Sequence, residues 1–152
     1  KLRDAINRLS NEGIPVITVN SDITSCKRIC FVGQDLKKSG LVAGEVMAKC
    51  VSGTGRVLGI TGDLNFQALR DRIVGFREGI ARWGEGLEID VREGYETYEG
   101  TLRCMRNALD AAASDNARIV GIYMAAGRID ACLDLLRERG GSRKPPPIPH
   151  HP

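Results

Sequence analysis

Short β-rich runs recur along the chain at nearly constant spacing, and this spacing constrains the fold more than any other feature. The runs begin at Ile14, Ile29, Val57, Leu87 and Ile119, and the last four begin 28, 30 and 32 residues apart. That interval is the length of one strand, one helix and their connections. The pattern therefore predicts an α/β fold in which a parallel sheet is flanked by helices.

Helical periodicity fills the intervals between the runs. The clearest buried face is predicted at Leu69, Ile73, Phe76, Ile80 and Trp83, which recur at steps of four and three residues. Further faces are predicted at Val42, Ala43, Val46, Met47 and Cys50, and at Ile129, Cys132, Leu133 and Leu136. Asp35 is the predicted N-cap of the helix that carries Val42. Residues 141–152 contain five prolines and are predicted to form an extended, disordered tail.

Composition excludes several classes of protein. The 152 residues have a net charge of +3, with basic and acidic residues interspersed, so this segment is not predicted to bind nucleic acid. No apolar run approaches the roughly 18 residues of a membrane-spanning helix, so no membrane partner is expected. The five cysteines form no CxxC pair and are predicted to be small buried side chains, which favours a reducing cytoplasm over the periplasm.

Motifs for catalysis and metal binding are also missing from the sequence. It contains no GxSxG, HExxH or GKS/T motif, and its two histidines, His150 and His151, lie in the proline-rich tail. Gly53 and Gly55 precede a strand, whereas a phosphate-binding loop follows one. We therefore expect neither an enzyme nor a bound metal or cofactor.

Polar residues follow three of the predicted strands. Asn20, Ser21 and Asp22 follow the first, Gln34 and Asp35 the second, and Asp63 and Asn65 the third. Ligands of parallel sheets collect beyond the carboxyl ends of the strands, and short carboxylates and amides suit a polyhydroxylated ligand such as a sugar. Phe66 is a candidate for stacking on such a ligand. Each polar residue alone has an alternative role in a turn or helix cap.

Arg72 falls in an early turn of the third helix, beside the buried face. A planar guanidinium held there could bind ring and anomeric hydroxyls of a sugar. The alternative is a surface ion pair with Glu78 or Asp71.

Three segments of the chain together resemble a known module. IPVITVNSD, then FVGQDLKKSGLVAGEVMAK, then VLGITGDLNFQALRDRIVGFREGI are similar to the sugar-binding module of LacI/GalR-type transcription regulators and of type I periplasmic sugar-binding proteins. The similarity extends from about Ala5 to about Arg139. Its most specific parts are the glycine spacing of residues 32–44 and the segment 70–76. Small residues there are expected to let helix and sheet approach closely.

The resemblance implies two lobes that close over a ligand at a hinge. Residues 1–28 then form a remnant of the first lobe, 29–34 a crossing between lobes, and 35–140 most of the second lobe. Asn20, Ser21 and Asp22 match a first-lobe strand end that reaches the ligand. Arg72 matches the arginine that binds the sugar, and Asp35 matches the motif's aspartate. The apolar residues 124–126 stand where the family usually has a polar ligand contact.

The predicted function is binding of a sugar or sugar-like effector by a LacI-type transcriptional regulator in the cytoplasm. Such a regulator is expected to be a homodimer and to bind DNA through a domain outside this chain. The alternative is a periplasmic solute-binding subunit of a sugar ABC transporter. An α/β enzyme with its catalytic residues outside this chain is a third possibility.

Overall fold

Strands and helices alternate along most of the described chain, and near its start two strands follow one another without a helix between them. The computed structural model describes residues 1–51, 53–94 and 96–140, so the predicted tail at 141–152 lies outside the described residues. The strands are β1 (Ile17–Val19), β2 (Cys30–Val32), β3 (Gly55–Thr61), β4 (Leu87–Glu93) and β5 (Ile119–Met124). The helices are α1 (Leu2–Asn11), α2 (Leu36–Cys50), α3 (Gln67–Trp83), α4 (Tyr98–Ser114) and α5 (Ile129–Gly140). Each predicted β-rich run overlaps one of these strands.

The strands form two sheets. β1 pairs with β2 in parallel, with Ile17 opposite Cys30 and Val19 opposite Val32. The other sheet has the order β4-β3-β5, and β5 runs parallel to the central strand β3. Parallel strands joined through helices confirm the predicted α/β fold.

The described chain divides into two compact units. The first comprises Lys1–Gly53 and Leu64–Leu87, and the second comprises Thr54–Asp63 and the chain from Glu88 onward. The first unit therefore contains α1, β1, β2, α2 and α3, whereas the second contains the three-stranded sheet with α4 and α5. The lobe boundaries given above stay a prediction.

A small apolar core holds the second unit together. Ile60 of β3 packs with Met105 of α4 and with Cys132 and Leu135 of α5. The α5 face predicted from the sequence is confirmed for Cys132 and wrong for the other three residues, because Ile129 is 63% exposed and Leu133 and Leu136 are also exposed. The helix is turned so that Ala131 and Leu135 are buried together with Cys132.

Glycines make the contact between α2 and α3 in the first unit. An added Cβ would come within 2.5 Å of Phe76 O at Gly44 and within 2.5 Å of Leu41 O at Gly79. The equivalent clashes at Gly40 and Gly75 would be closer still, with the carbonyl oxygens of Arg72 and Lys37. The two helix backbones therefore touch directly. The expectation that these glycines admit a helix against a sheet is corrected: they admit a helix against a helix.

This contact also corrects the predicted faces of α2 and α3. Val42 and Val46 of α2 are about half exposed, at 51% and 53%, because the helix buries Gly40 and Gly44 instead. On α3 the prediction is confirmed for Ile73, Phe76 and Ile80. Trp83 is 37% exposed, and the Arg82 guanidinium lies 5.3 Å from its ring centroid.

The sequence predicts that all five cysteines are buried, and this prediction is wrong for most of them. Only Cys132 is buried, while Cys30 and Cys50 are exposed, and all five are free thiols. Cys30 lies on the exposed face of β2, because alternate strand residues point to opposite sides of a sheet.

Alanine substitutions test the glycine contact. Gly75→Ala or Gly79→Ala should lower the free energy of unfolding by about 2–3 kcal/mol, since a methyl group would press on a backbone oxygen that cannot move alone. This loss should exceed the gain in helix propensity, which is about 1 kcal/mol. Urea denaturation monitored by circular dichroism measures the free energy of unfolding of both variants.

The matched control is Gly140→Ala, at the end of α5, where an added Cβ meets nothing within 4 Å. Its stability should be unchanged or slightly raised. Equal stability of the Gly75, Gly79 and Gly140 variants would contradict the described helix contact.

Candidate functional site

The connection between β1 and β2 is fastened to α1 through Lys27. Its backbone N–H donates to Asn7 Oδ1 at 2.8 Å, and its Nζ donates to Asn11 Oδ1 at 2.7 Å. The Ser10 hydroxyl donates to the Lys27 carbonyl oxygen. These bonds hold the end of a connection that begins at Asn20, which has a left-handed φ of 68° that asparagine tolerates better than most residues.

Asp22 is the best-fixed carboxylate of this connection. Arg28 donates to both of its oxygens, from Nε at 2.6 Å and from Nη2 at 2.5 Å, and the Thr18 hydroxyl donates to Oδ1 at 2.8 Å. The bond from Arg28 is the main reason that the pKa of Asp22 falls from 3.8 to about 2. Asp22 is therefore ionised at neutral pH, and its two oxygens hold the Arg28 guanidinium in place.

A cavity of about 220 Å³ opens beside this connection, within the first unit. It is lined by the β1–β2 connection, by the turn from β2 into α2 and by the first turns of α3. The lining residues are Ser21, Asp22, Thr24, Phe31, Gln34, Asp35, Leu36, Lys37, Gln67, Ala68 and Asp71. Hydroxyl, amide and carboxylate groups thus surround one space that also has an aromatic wall, a mixture that suits a ligand rich in hydroxyl groups.

Three of the six predicted site residues line this cavity. They are Ser21, Asp22 and Asp35. Asp35 also caps α2, because its side chain accepts the Lys38 backbone N–H at 2.9 Å, and so fulfils the role predicted for it. Ligand contact by these side chains remains a prediction.

The other three predicted residues are not part of the cavity lining. Asn20 ends β1 and is exposed, and its backbone N–H donates to Val32 O at 2.9 Å. Phe66 precedes α3 and is 67% exposed. Arg72 lies in α3 with its Nε atom buried, while Glu78, one of its two possible partners, forms an ion pair with Lys37 instead.

Sequence analysis missed the contribution of α3 to the cavity, made mainly by Gln67 and Asp71. These residues are four apart, so they lie on one side of the helix. Gly75 and Gly79 continue the same row and make the contact with α2. The signal was therefore present as polar and glycine residues at steps of four along one helix. From the sequence, Asp71 is predicted only as one of two alternative ion-pair partners of Arg72.

A second cavity, of about 190 Å³, lies within the second unit. It contains none of the predicted site residues and is lined by Arg92, Glu93, Gly94, Gly100, Arg103, Cys104 and Asn107. Burial raises the pKa of the Cys104 thiol, and its Sγ donates to Glu93 O at 3.6 Å. The thiol is therefore mostly protonated at neutral pH and is a poor nucleophile.

Across residues 1–51, 53–94 and 96–140, no group of three or more His, Cys, Asp and Glu side chains is placed to hold a metal ion. In the same described part of the chain, no helix combines the length and the apolar character needed to cross a membrane.

Comparison with known sequences then identifies the family. A family described as a periplasmic binding protein domain matches residues 1–148. The chain belongs to this family. No curated protein sequence matches it.

Solved structures have the same fold. "XylFII molecule" is 25% identical, with a TM-score of 0.80 over 92% of this chain and 50% of its own. GanP, a glucose-galactose binding protein from Geobacillus stearothermophilus, is 22% identical, with a TM-score of 0.80 over 92% of this chain and 49% of its own. The fructose binding periplasmic domain of a hybrid two component system is 20% identical, with a TM-score of 0.79 over 91% and 45%. This chain spans about half the length of these structures.

Replacement of the Arg28 side chain tests whether its ion pair with Asp22 lowers the pKa of that carboxyl group. In Arg28→Met, we expect the pKa of Asp22 to rise from about 2 toward 3.8, because the main bond that stabilises the carboxylate is lost. In the unchanged protein, the stabilisation from this pair is present above pH 3.8 and is lost as the pH falls through about 2. Carboxyl-detected NMR titration measures the pKa directly.

Arg106→Met is the control, since Arg106 pairs with Glu138 in the second unit. It should leave the titration of Asp22 unchanged. A pKa near 3.8 in the unchanged protein would contradict the described ion pair.

Proposed function

We propose that the chain is the sugar-binding part of a solute-binding subunit that delivers a sugar to an ABC transporter. The main support for this proposal is the cavity of the first unit. It is lined by polar residues from three segments, among them Ser21, Asp22, Asp35, Gln67 and Asp71. The ligand is a monosaccharide or a similar polyol. The carboxylate, amide and hydroxyl groups of the lining can accept hydrogen bonds from sugar hydroxyls, and the amide and hydroxyl groups can also donate to them, while the ring of Phe31 forms an apolar wall.

The family supports this proposal. One solved structure of the same fold is titled a glucose-galactose binding protein, and another is titled a sugar-binding protein of a sugar ABC transporter from Bacillus halodurans. The latter is 24% identical to this chain, and its title is the reason that the proposal includes delivery of the sugar to a transporter.

The mechanism proposed for the site is closure of two lobes. Residues 1–28 belong to the first lobe, 29–34 cross between the lobes, and 35–140 form most of the second lobe. Asn20 and Arg72, which do not line the cavity of the first unit, are assigned to the ligand through the resemblance and contact it when the lobes close. Phe66 is assigned to the same closing surface because it is exposed directly before α3.

A transcriptional regulator in the cytoplasm is the second candidate. The observation that favours it is the set of five free thiols, two of them exposed, since exposed thiols persist best in a reducing compartment. In this case sugar binding would shift a closed–open equilibrium that controls a DNA-binding domain in a homodimer. A helix-turn-helix region encoded in the same gene would decide for the regulator, and an export signal would decide for the transporter subunit.

Isothermal titration calorimetry of the intact protein against D-glucose, D-galactose, D-fructose, D-xylose and D-ribose tests the proposal. At least one of these sugars should bind with a stoichiometry of one. Gln67→Ala should then weaken binding about fivefold to tenfold through loss of a neutral hydrogen bond. Arg72→Ala should weaken it about tenfold to a hundredfold through loss of a charge-assisted bond.

Arg77→Ala is the matched control, because Arg77 is exposed on α3 and lies outside the cavity lining. It should bind the same sugar as tightly as the unchanged protein does. Unchanged affinity in both the Gln67 and Arg72 variants would refute their assignment, and failure of every sugar to bind would refute the proposed function.

A further inference from the structure

The charge of the cavity lining determines which sugars the site can accept, and this step rests on the sugar-binding function proposed above. The charged lining residues are Asp22, Asp35, Lys37 and Asp71. Asp22 is paired with Arg28, and Lys37 Nζ lies 2.7 Å from Glu78 Oε1. Since each ion pair is neutral, the lining retains the charge of two carboxylates, those of Asp35 and Asp71.

These two carboxylates differ in how far they are already engaged. Asp35 accepts the Lys38 backbone N–H and thereby holds the start of α2. The pKa of the Lys37 ammonium is raised mainly by Glu78 and also, through space, by Asp35 and Asp71. Asp71 forms no hydrogen bond or ion pair with another described residue. Its oxygens can therefore accept hydrogen bonds from a ligand without breaking a bond within the protein.

The packing of α3 fixes where Asp71 lies. Asp71 is four residues before Gly75, and Gly75 contacts the Lys37 carbonyl oxygen of α2. The same contact that locks the helices therefore holds Asp71 beside the start of α2, where Asp35 and Lys37 also line the cavity. Asp71 is half-buried, so water screens its charge less than it would on an open surface.

We infer that this cavity accepts neutral sugars and amino sugars and discriminates against sugars that carry a carboxylate or a phosphate, with Asp71 as the specificity-determining residue. The protonated amine of an amino sugar could donate to the Asp71 carboxylate, which no cation of the described residues occupies at hydrogen-bond distance. A second anion would face the carboxylates of Asp35 and Asp71, while Lys37 is already paired with Glu78. Arg72, which is assigned to the ligand above, would offset only one of these two negative charges.

The test compares sugars that share a ring and differ in one charged group. Calorimetry of the intact protein at about pH 6 and low salt would use D-glucose, D-glucosamine and D-glucuronate, with the corresponding galactose series in parallel. At that pH the amine of the amino sugar is protonated and the carboxyl group of the sugar acid is ionised. We expect the amino sugar to bind at least as tightly as the neutral sugar, and the sugar acid to bind about tenfold or more weakly.

Asp71→Asn should narrow the affinity gap between the amino sugar and the sugar acid about tenfold, because it removes one charge at nearly constant shape. Glu85→Gln removes one negative charge outside the lining, in the same unit, and should leave the gap unchanged. In the unchanged protein, added salt should also narrow the gap, which tests the electrostatic origin without any variant.

The outcomes separate the inference from the proposed function. If the sugar acid binds as tightly as its neutral counterpart, or if Asp71→Asn folds and leaves the gap unchanged, the inference is overturned while sugar binding stands. If no sugar of any charge binds, the proposed function itself fails.

Discussion

The direct contact between the backbones of α2 and α3 is the constraint on which the first unit depends. Gly40 and Gly44 on one helix, and Gly75 and Gly79 on the other, allow an approach that any side chain would block. Such contacts gain from dispersion and from weak Cα–H···O bonds only when the backbones are close. The contact also sets the register of the helices, and so it places the first turn of α2 beside the first turns of α3.

The cavity follows from that register. Gln67 and Asp71 stand on the row that continues into Gly75 and Gly79, so the residues that lock the helices also orient the polar groups. Across the cavity's edge, Asp22 is held by Arg28 and Thr18. Its negative charge is therefore fixed in place before any ligand arrives, and little side-chain freedom is lost on binding.

The sequence predicted the fold well because the spacing of the strands is a property of whole α/β units. It predicted the cap at Asp35 and the core of α3 for a similar reason, since both depend on local chemistry and a strong apolar period. It was wrong for α2 because it assigned burial to Val42 and Val46, whereas a close helix contact buries glycines, which carry no hydrophobic signal. The orientation of α5 was also wrong, since Ala131 and Leu135 pack where larger neighbours were expected.

The site was predicted only in part. The polar residues after β1 and β2 could be recognised from their positions at strand ends, and Ser21, Asp22 and Asp35 do share a cavity. Gln67 and Asp71 on α3 share a row with Gly75 and Gly79 in the sequence, but the row alone does not show that it faces the β1–β2 connection, because that depends on tertiary packing. The pairing of Asp22 with Arg28 depends likewise on how a ten-residue connection folds back on itself.

Mapping of a bound sugar by NMR tests the central claim most directly. In a ¹⁵N-resolved titration of the intact protein with the sugar that binds most tightly among the neutral monosaccharides, the largest amide shifts should fall at Ser21, Asp22, Lys37 and Asp71, which line the cavity held by the glycine contact. Largest shifts at Arg92, Arg103 and Asn107, around the cavity of the second unit, would contradict the account.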